Sequence, residues 1–436
     1  MLTDRIAPSS PSDARRAVLR HGKRAGLAVG FLLVFALGIG VDRTVLRGEE
    51  AGAATTLADS PAFAVFEETW NLIQTQYVAT DEIDGTALLH GAAQGMVEAL
   101  NDTGHSRFLN PEEADEYEAA VRGEYVGIGI RLDIADELPV VAEAIPDAPA
   151  AGAGVRAGDV ILGVDNVGTL GLDREAVSDL LRGEPGTEVK LTLRRATDGE
   201  RYSVTLVRAI LTERPVTWSL LPDGVAHIRL SEFTLGATDA LRQAIETARG
   251  EGATGIVLDL RDNPGGLVFE ALGVFAQFVP EGTVLYQQQD RGQEPYPVPT
   301  EDEGGAQDLP LTVLVNGGSA SAAEIVGGAL RDSGRATLLG ETTFGTGTVL
   351  IPFELADESV ALLGTALWLT ADGERAWRIG VAPDRQVSLP PDVYPARPTD
   401  DEDGVVSIAE LASSEDRQLQ SAHRAVLRLV DAEPGA

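Results

Sequence analysis

The chain has 436 residues and a formal net charge of −34, and 44% of its residues are hydrophobic. This hydrophobic fraction is that of a folded protein, and the length allows two or three domains. The acidic balance excludes a nucleic-acid-binding protein, because contacts with phosphates need Lys and Arg. The chain has no cysteine and its histidines show no zinc-binding spacing, so we expect neither a metal nor a cofactor.

The N-terminal residues indicate the cellular location of the protein. Residues 25–41 form an uncharged apolar run that follows several basic side chains, Arg15, Arg16, Arg20, Lys23 and Arg24. Positive charge stays on the cytoplasmic side of a membrane. We therefore predict a cytoplasmic basic tail (1–24), a single transmembrane helix in the cell membrane (25–41), a linker (42–59) and an extracytoplasmic remainder. A cleaved signal peptide that leaves a secreted protein is the alternative.

Residues 60–122 predict a small helical region. Ser60 and Pro61 are typical of an N-cap and a first helical position. Apolar side chains then recur at three- and four-residue spacing as far as Tyr77, which indicates a helix with one apolar face. The same reasoning predicts helices at 88–100 and 111–121.

Residues 123–209 change to glycine-rich strands. Strands are predicted at 125–130, 138–142, 160–164, 188–194 and 202–208, with a helix at 174–181. The strand order and the Ala157-Gly158-Asp159 turn resemble a PDZ domain. The resemblance implies a groove in which a partner's C-terminal carboxylate meets backbone N–H groups of the loop and its chain extends the sheet; the loop is Tyr125, Val126, Gly127, Ile128 and Gly129. A glycine-rich hairpin without a ligand is the alternative.

Residues 210–398 alternate strands and helices, which predicts an α/β core. The predicted strands are 225–230, 255–260, 311–315, 337–340 and 348–352, and the predicted helices are 237–249, 267–278 and 321–333. The polar segment 290–308 is predicted to be a mobile loop. Residues 399–436 are predicted to form an acidic linker and a surface helix at 416–430. The predicted fold class is thus α/β in the sense of an α+β multidomain chain, with the transmembrane helix in addition.

Two segments of the core contain candidate catalytic groups. A predicted strand runs into Asn263-Pro264-Gly265-Gly266, and such a turn before a helix exposes backbone N–H groups to negative charge. A second strand runs into Gly318-Ser319-Ala320-Ser321-Ala322, which places Ser321 at the N-terminus of a helix. Each segment alone has a plain alternative, since the first fits an ordinary turn and a serine at a helix start is usually a cap.

Together these segments resemble the C-terminal processing peptidases, also called tail-specific proteases. The motifs are Asp-Leu-Arg-x-Asn-Pro-Gly-Gly from Asp259, Gly-Ser-Ala-Ser-Ala-x-Glu from Gly318, and later segments beginning at Trp368 and Gly380. The resemblance implies a helical prelude, an embedded PDZ domain and a serine endopeptidase core. It implies that Ser321 is the nucleophile, and that N–H groups near Gly266 and of Ala322 form the oxyanion hole.

The family's remaining catalytic residues are absent from this sequence. The resemblance implies a general-base lysine in Phe-Gly-Lys-Gly and a supporting glutamine four positions later, but Thr346 and Leu350 stand at these places. A serine hydroxyl is a weak nucleophile without a base. Two hypotheses stay open. The chain is a membrane-anchored endopeptidase that cuts C-terminal tails presented by its PDZ domain, or a catalytically impaired adaptor that binds exposed C-termini. The sequence does not indicate an oligomeric state.

Overall fold

The computed structural model describes residues 61–432, except for 103–104, 136–137, 146, 303, 391–392 and 399–405. The segment predicted as a membrane anchor or signal peptide, 25–41, lies outside these residues, as does the acidic break before the last helices. Within the described ranges no helix could cross a membrane. The longest helices there have 16 residues, whereas a crossing needs about 20 apolar ones. The prediction of a transmembrane helix, and of a single-pass membrane location with it, is corrected on this finding.

The helices and strands of the described residues follow the predicted order closely. The helices are α1 (Pro61–Gln76), α2 (Gly85–Glu98), α3 (Pro111–Val121), α4 (Pro149–Gly152), α5 (Arg174–Leu181), α6 (Ala237–Gly250), α7 (Val268–Ala276), α8 (Ala322–Asp332), α9 (Ile408–Ser413) and α10 (Arg417–Ala432). The strands are β1 (Arg107–Leu109), β2 (Glu124–Gly127), β3 (Ile130–Ala135), β4 (Leu138–Ala144), β5 (Val160–Val164), β6 (Val167–Gly168), β7 (Glu188–Arg194), β8 (Arg201–Val207), β9 (Ala209–Thr212), β10 (Val216–Leu221), β11 (Val225–Leu230), β12 (Gly255–Asp259), β13 (Val284–Asp290), β14 (Tyr296–Pro299), β15 (Leu311–Val315), β16 (Thr337–Gly340), β17 (Thr348–Glu354), β18 (Val360–Leu369) and β19 (Arg385–Gln386).

The chain divides into two compact units between Asp84 and Gly85. The described part of the first unit is α1 and a short 3-10 helix, Thr80–Glu82. Within α1 the rings of Phe63 and Phe66 stack with their centroids 6.0 Å apart. All remaining elements belong to the second unit.

A β-rich region comes first in the second unit. Its sheet has the order β3-β4-β5-β7-β8, and β2 pairs separately with β9. The core beneath the sheet is aliphatic, with Val141, Ile161 and Leu191 fully buried, and α5 contributes Val177 to it. Among the described strands β3 has a neighbour on one side only, so its other edge is free to pair.

The sheet that positions the candidate site has the order β10-β11-β12-β15-β16-β19. All its pairs from β11 onward are parallel. Helices α6, α7 and α8 contribute to the core on one face, and α10 to the core on the other. Because both faces are covered, β12 and β15 are buried along their whole length, which explains their largely apolar sequences. The α/β multidomain part of the predicted fold class is therefore confirmed.

A third sheet contains β18 between β1 and β13, with β17 also paired to β18 and β14 at the edge beside β13. Part of the segment predicted as a loop, 290–308, is thus the strand β14. This strand was not predicted from the sequence, because Pro297 and Pro299 disfavour a strand. An edge strand tolerates them, since it pairs on one side only.

Candidate active site

Ser321 lies where the chain passes from β15 into α8. Its backbone has φ 52° and ψ −118°, a positive φ that costs a residue with a side chain about 1–3 kcal/mol. The preceding residues hold this conformation: Ser319 Oγ donates to Leu260 O at 2.7 Å, and Ala320 N donates to Asn263 O at 2.9 Å. A strained strand–turn–helix connection of this kind presents a serine side chain at the end of a sheet.

The glycine turn after β12 lies directly against Ser321. Gly265 and Gly266 have φ values of +107° and +131°, which favour glycine. A Cβ on Gly265 would lie 2.6 Å from Ser321 Cβ and 3.1 Å from Ala322 N. A Cβ on Gly266 would lie 2.5 Å from the carbonyl oxygen of Phe233. The close approach of the two turns therefore requires glycine at both positions.

This approach puts unused backbone donors beside the serine. Among the hydrogen bonds of the described residues, the N–H groups of Gly266 and Ala322 donate to no acceptor. Free N–H groups at a helix N-terminus favour a developing negative charge. The role predicted for Gly266 and Ala322, an oxyanion hole, stays a prediction that this geometry suits.

A buried carboxylate organises the other side of the site. Glu324 is fully buried. Its Oε2 accepts from Ser321 N at 2.9 Å, Thr346 N at 2.9 Å and Thr346 Oγ1 at 2.6 Å. Its Oε1 accepts from Gly345 N at 2.7 Å and from the Thr343 hydroxyl. One side chain of α8 thereby fixes the loop that leads into β17.

Thr346, at the place of the family's lysine, has both of its hydrogen-bonding functions in use. Its hydroxyl donates to Glu324 and accepts from Ser321 N at 2.6 Å. Thr346 thus contacts the backbone of the serine. In the part of the chain that the structure describes, no side-chain base is hydrogen-bonded to the Ser321 hydroxyl.

His105 and His227, the two histidines that could act as a base, are hydrogen-bonded to other residues. His105 Nδ1 lies 2.6 Å from Thr348 Oγ1, and burial lowers the pKa of this histidine. His227 is buried in β11 with its Nε2 3.0 Å from Asp259 Oδ2. Lys190 is on β7, in the sheet of the β-rich region. Leu350 lies in β17 opposite Gly364 and has no group that could support a base.

The predicted peptide-binding loop borders the free edge of β3. Among the hydrogen bonds of the described residues, the N–H groups of Ile128 and Gly129 donate to no acceptor. Gly129 has φ +75°, and a Cβ there would lie 2.0 Å from Ala148 Cβ. Across from β3, Arg174 of α5 donates from Nη2 to Asp133 Oδ1 at 3.2 Å. The loop, the free edge of β3 and α5 are therefore neighbours, and the peptide-binding role of the loop stays a prediction.

Comparison with known proteins places these features in one family. The model of peptidase family S41 matches residues 224–387, and a PDZ-domain model matches residues 140–195. A carboxy-terminal-processing protease of Bartonella bacilliformis is 35% identical over 76% of this chain and 76% of its own. The carboxy-terminal processing protease CtpA of Bacillus subtilis is 32% identical over 75% of this chain and 69% of its own. The chain belongs to the carboxy-terminal-processing serine protease family.

One solved structure also has a similar sequence. The photosystem II D1 C-terminal processing protease is 30% identical, with a TM-score of 0.46, and the match covers 77% of this chain and 95% of that one. Family membership confirms the resemblance drawn from the motifs. The roles of individual residues remain predictions.

Proposed function

We propose that this chain binds protein C-termini through its PDZ domain and has lost most of the hydrolytic activity of its family. The observation that carries the proposal is the pair of contacts made by the Thr346 hydroxyl, with Glu324 and with the Ser321 backbone. A threonine hydroxyl has no basicity of use at neutral pH. Loss of one member of a catalytic unit lowers activity by about 10³–10⁶-fold in comparable serine enzymes.

Glu324 is a poor substitute for the missing lysine. Both of its oxygens already accept at least two hydrogen bonds, and none of these comes from the Ser321 hydroxyl. Because all of these donors except Ser321 N belong to the loop before β17, a move of the carboxylate toward the hydroxyl would leave several buried donors without an acceptor. Each of these would cost about 1–3 kcal/mol.

The groove supports the binding half of the proposal. Free N–H groups at Ile128 and Gly129 suit a terminal carboxylate, and the free edge of β3 suits the addition of a peptide strand. Both features are independent of Ser321. Binding should therefore survive when hydrolysis does not.

An active endopeptidase is the second candidate, and the backbone of Ser321 favours it. A positive φ at a serine, beside two unused N–H groups, is the geometry of a nucleophile with an oxyanion hole. Catalytic hydrogen bonds can also tighten only when a substrate is bound. This candidate requires a base that reaches Ser321 in the complex.

Comparison of the unmodified chain with Ser321→Ala separates the two candidates. Binding is measured with a fluorescent peptide that ends in apolar residues and a free carboxylate, and hydrolysis with an unfolded protein that bears the same tail. We expect equal micromolar dissociation constants for the two proteins and no hydrolysis above that of Ser321→Ala. Hydrolysis that Ser321→Ala abolishes and that is less than about 10³-fold slower than by a typical serine endopeptidase, or labelling of Ser321 by a fluorophosphonate, would refute the proposal in favour of the endopeptidase.

A further inference from the structure

A cavity of about 200 Å³ lies apart from Ser321, where the β-rich region meets the core sheet. Its wall includes Arg131 at the start of β3, Arg229 at the end of β11 and Asp262 just beyond β12. Ligands of α/β proteins bind at the carboxyl ends of parallel strands, and β11 and β12 are parallel neighbours whose carboxyl ends meet here. Arg397, from the segment before the last helices, completes this side of the cavity.

Arg229 is a buried cation with an unsatisfied hydrogen-bond donor within the described part of the chain. Its residue is only 5% exposed, and its Nη1 has no hydrogen-bond partner among the described residues. The nearest carboxylate oxygen, Asp259 Oδ1, is 3.8 Å away. Asp259 is already held by Arg261, which donates to both of its oxygens at 2.6 and 2.9 Å. A buried guanidinium normally has its donors satisfied, so Arg229 has capacity for a further acceptor.

The lining arginines have no ion-pair partner among the lining carboxylates of the described residues. Arg131 pairs with Glu143, on the neighbouring strand β4 rather than in the cavity. Arg397 makes no ion pair within the described ranges, and its pKa is lowered by burial and then by the charges of Arg229 and Arg131. These three cations therefore repel one another across the cavity.

The lining also contains the carboxylates Glu213, Glu232 and Asp262. Burial and the neighbouring Glu213 raise the pKa of Glu232. The remaining acid, Asp262, accepts a hydrogen bond from Asn316 Nδ2 at 2.8 Å. Of the ion pairs among described residues, none joins a lining arginine to a lining carboxylate.

We propose that this cavity is a binding site for a carboxylate, held by Arg131, Arg229 and Arg397. The planar guanidinium group pairs with a carboxylate through two parallel hydrogen bonds, and a ligand of this charge relieves the repulsion among the three cations. Since Arg131 belongs to β3 and Arg229 to the core sheet, an occupied site links the two sheets. The carboxylate comes either from a free small acid or from the terminus or side chain of a bound peptide.

Thermal unfolding of the full chain tests the site with sodium acetate as the probe and sodium chloride at equal ionic strength as the reference. Acetate at about ten times its dissociation constant should raise Tm by roughly 2–4 °C above the chloride reference. Arg397→Gln should abolish this difference, and Arg131→Gln should weaken it. The matched control Arg242→Gln removes the same charge from the surface of α6 and should retain it.

Neutralising a carboxylate of the lining should change the acetate affinity in the opposite direction. Glu232→Gln should bind acetate more tightly, because it removes a negative charge from the same cavity. Equal effects of acetate and chloride, or an acetate shift that survives in Arg397→Gln, would overturn the proposal.

A peptide with a free C-terminus that competes with acetate, when its amide does not, assigns the site to peptide termini. Competition by neither peptide, with the acetate shift intact, assigns it to a free small acid. The inference does not depend on hydrolysis or on the peptide groove, because acetate binding is measured directly.

Discussion

Restoring a lysine at position 346 is the most direct way to ask whether only the base is missing. Thr346 Oγ1 lies 2.6 Å from the backbone nitrogen of Ser321, so a longer side chain from the same Cβ starts within reach of the serine. A positioned general base contributes about 10²–10⁴-fold to a rate. We expect Thr346→Lys to hydrolyse an unfolded tail-bearing substrate at least about 10²-fold faster than the unmodified chain. The double variant with Leu350→Gln should exceed this rate.

The substitution has a structural cost that can be bounded. Thr346 is only 5% exposed, and overfilling a packed site costs about 1–3 kcal/mol. The ammonium group would lie near the buried carboxylate of Glu324, which offsets part of this cost. The same carboxylate favours the protonated lysine. Since only the neutral amine is a base, activity should rise with pH between about 7 and 10.

The assay is kcat/KM for a quenched fluorescent peptide, measured after denaturant unfolding has shown that each variant is folded. Thr346→Arg is the matched control, because arginine brings the charge and the bulk but does not deprotonate. Ser321→Ala in the lysine background tests whether the new activity uses the serine. A folded Thr346→Lys, Leu350→Gln variant no faster than the arginine control would refute the reasoning, because the site would then lack more than its base.

Three further predictions concern stability and binding. Glu324→Gln should lower the free energy of unfolding by about 2–4 kcal/mol in denaturant titration, because an amide group replaces one oxygen amid N–H and O–H donors. Burial alone would raise the pKa of Asp259, but Arg261 and His227 outweigh it and lower that pKa. Stability from Asp259 is therefore fully present above the ordinary carboxyl value of about 4, and should fall only as pH drops below it. Asp259→Asn should lose this acid dependence and, at pH 7, about 3–5 kcal/mol. Gly129→Ala should weaken binding of C-terminal peptides at least about tenfold in fluorescence anisotropy, because the added Cβ meets Ala148.

Each of these predictions has a control at an exposed position. Glu246→Gln on α6 and Asp239→Asn should leave the free energy of unfolding within about 0.5 kcal/mol of the parent. Gly171→Ala, where φ is also positive but the space is open, should strain the backbone without changing peptide affinity. A Glu324→Gln variant as stable as its control, an Asp259→Asn variant with unchanged acid sensitivity, or a Gly129→Ala variant that binds normally would each contradict the contact invoked.

Local sequence patterns predicted the elements of the core well. The mostly apolar sequences of β12 and β15 and the amphipathic pattern of α10 each specify one element through its own residues. The same holds for the turn before α8, where Ser321 lies as the motif indicated. The strand β14 was missed, because its pairing with β13 outweighs an unfavourable local composition.

The interactions that organise the candidate site could not be predicted from the sequence, because they join distant parts of the chain. The sequence presented Glu324 as the last residue of the serine motif, but not its bonds to Thr343, Gly345 and Thr346. The ion pair of Arg261 with Asp416 links residues 155 positions apart. The unsatisfied Nη1 of Arg229 also needed the structure, since its burial and the absence of a hydrogen-bond acceptor among the described residues depend on every element around it.

The two departures from the family pattern have one physical explanation in the fold. The Thr346 hydroxyl takes a place between the Ser321 N–H and Glu324, and thereby satisfies a buried carboxylate that an ammonium group would otherwise pair with. Once no ammonium group is present, a glutamine at 350 would be a polar side chain without a partner to support, and leucine is the less costly residue at a half-buried strand position. The turn, the glycines and the free N–H groups stay because they depend on backbone packing rather than on the base. The site is therefore held together by contacts that do not require catalysis, which is why restoring two side chains is a fair test of what it can still do.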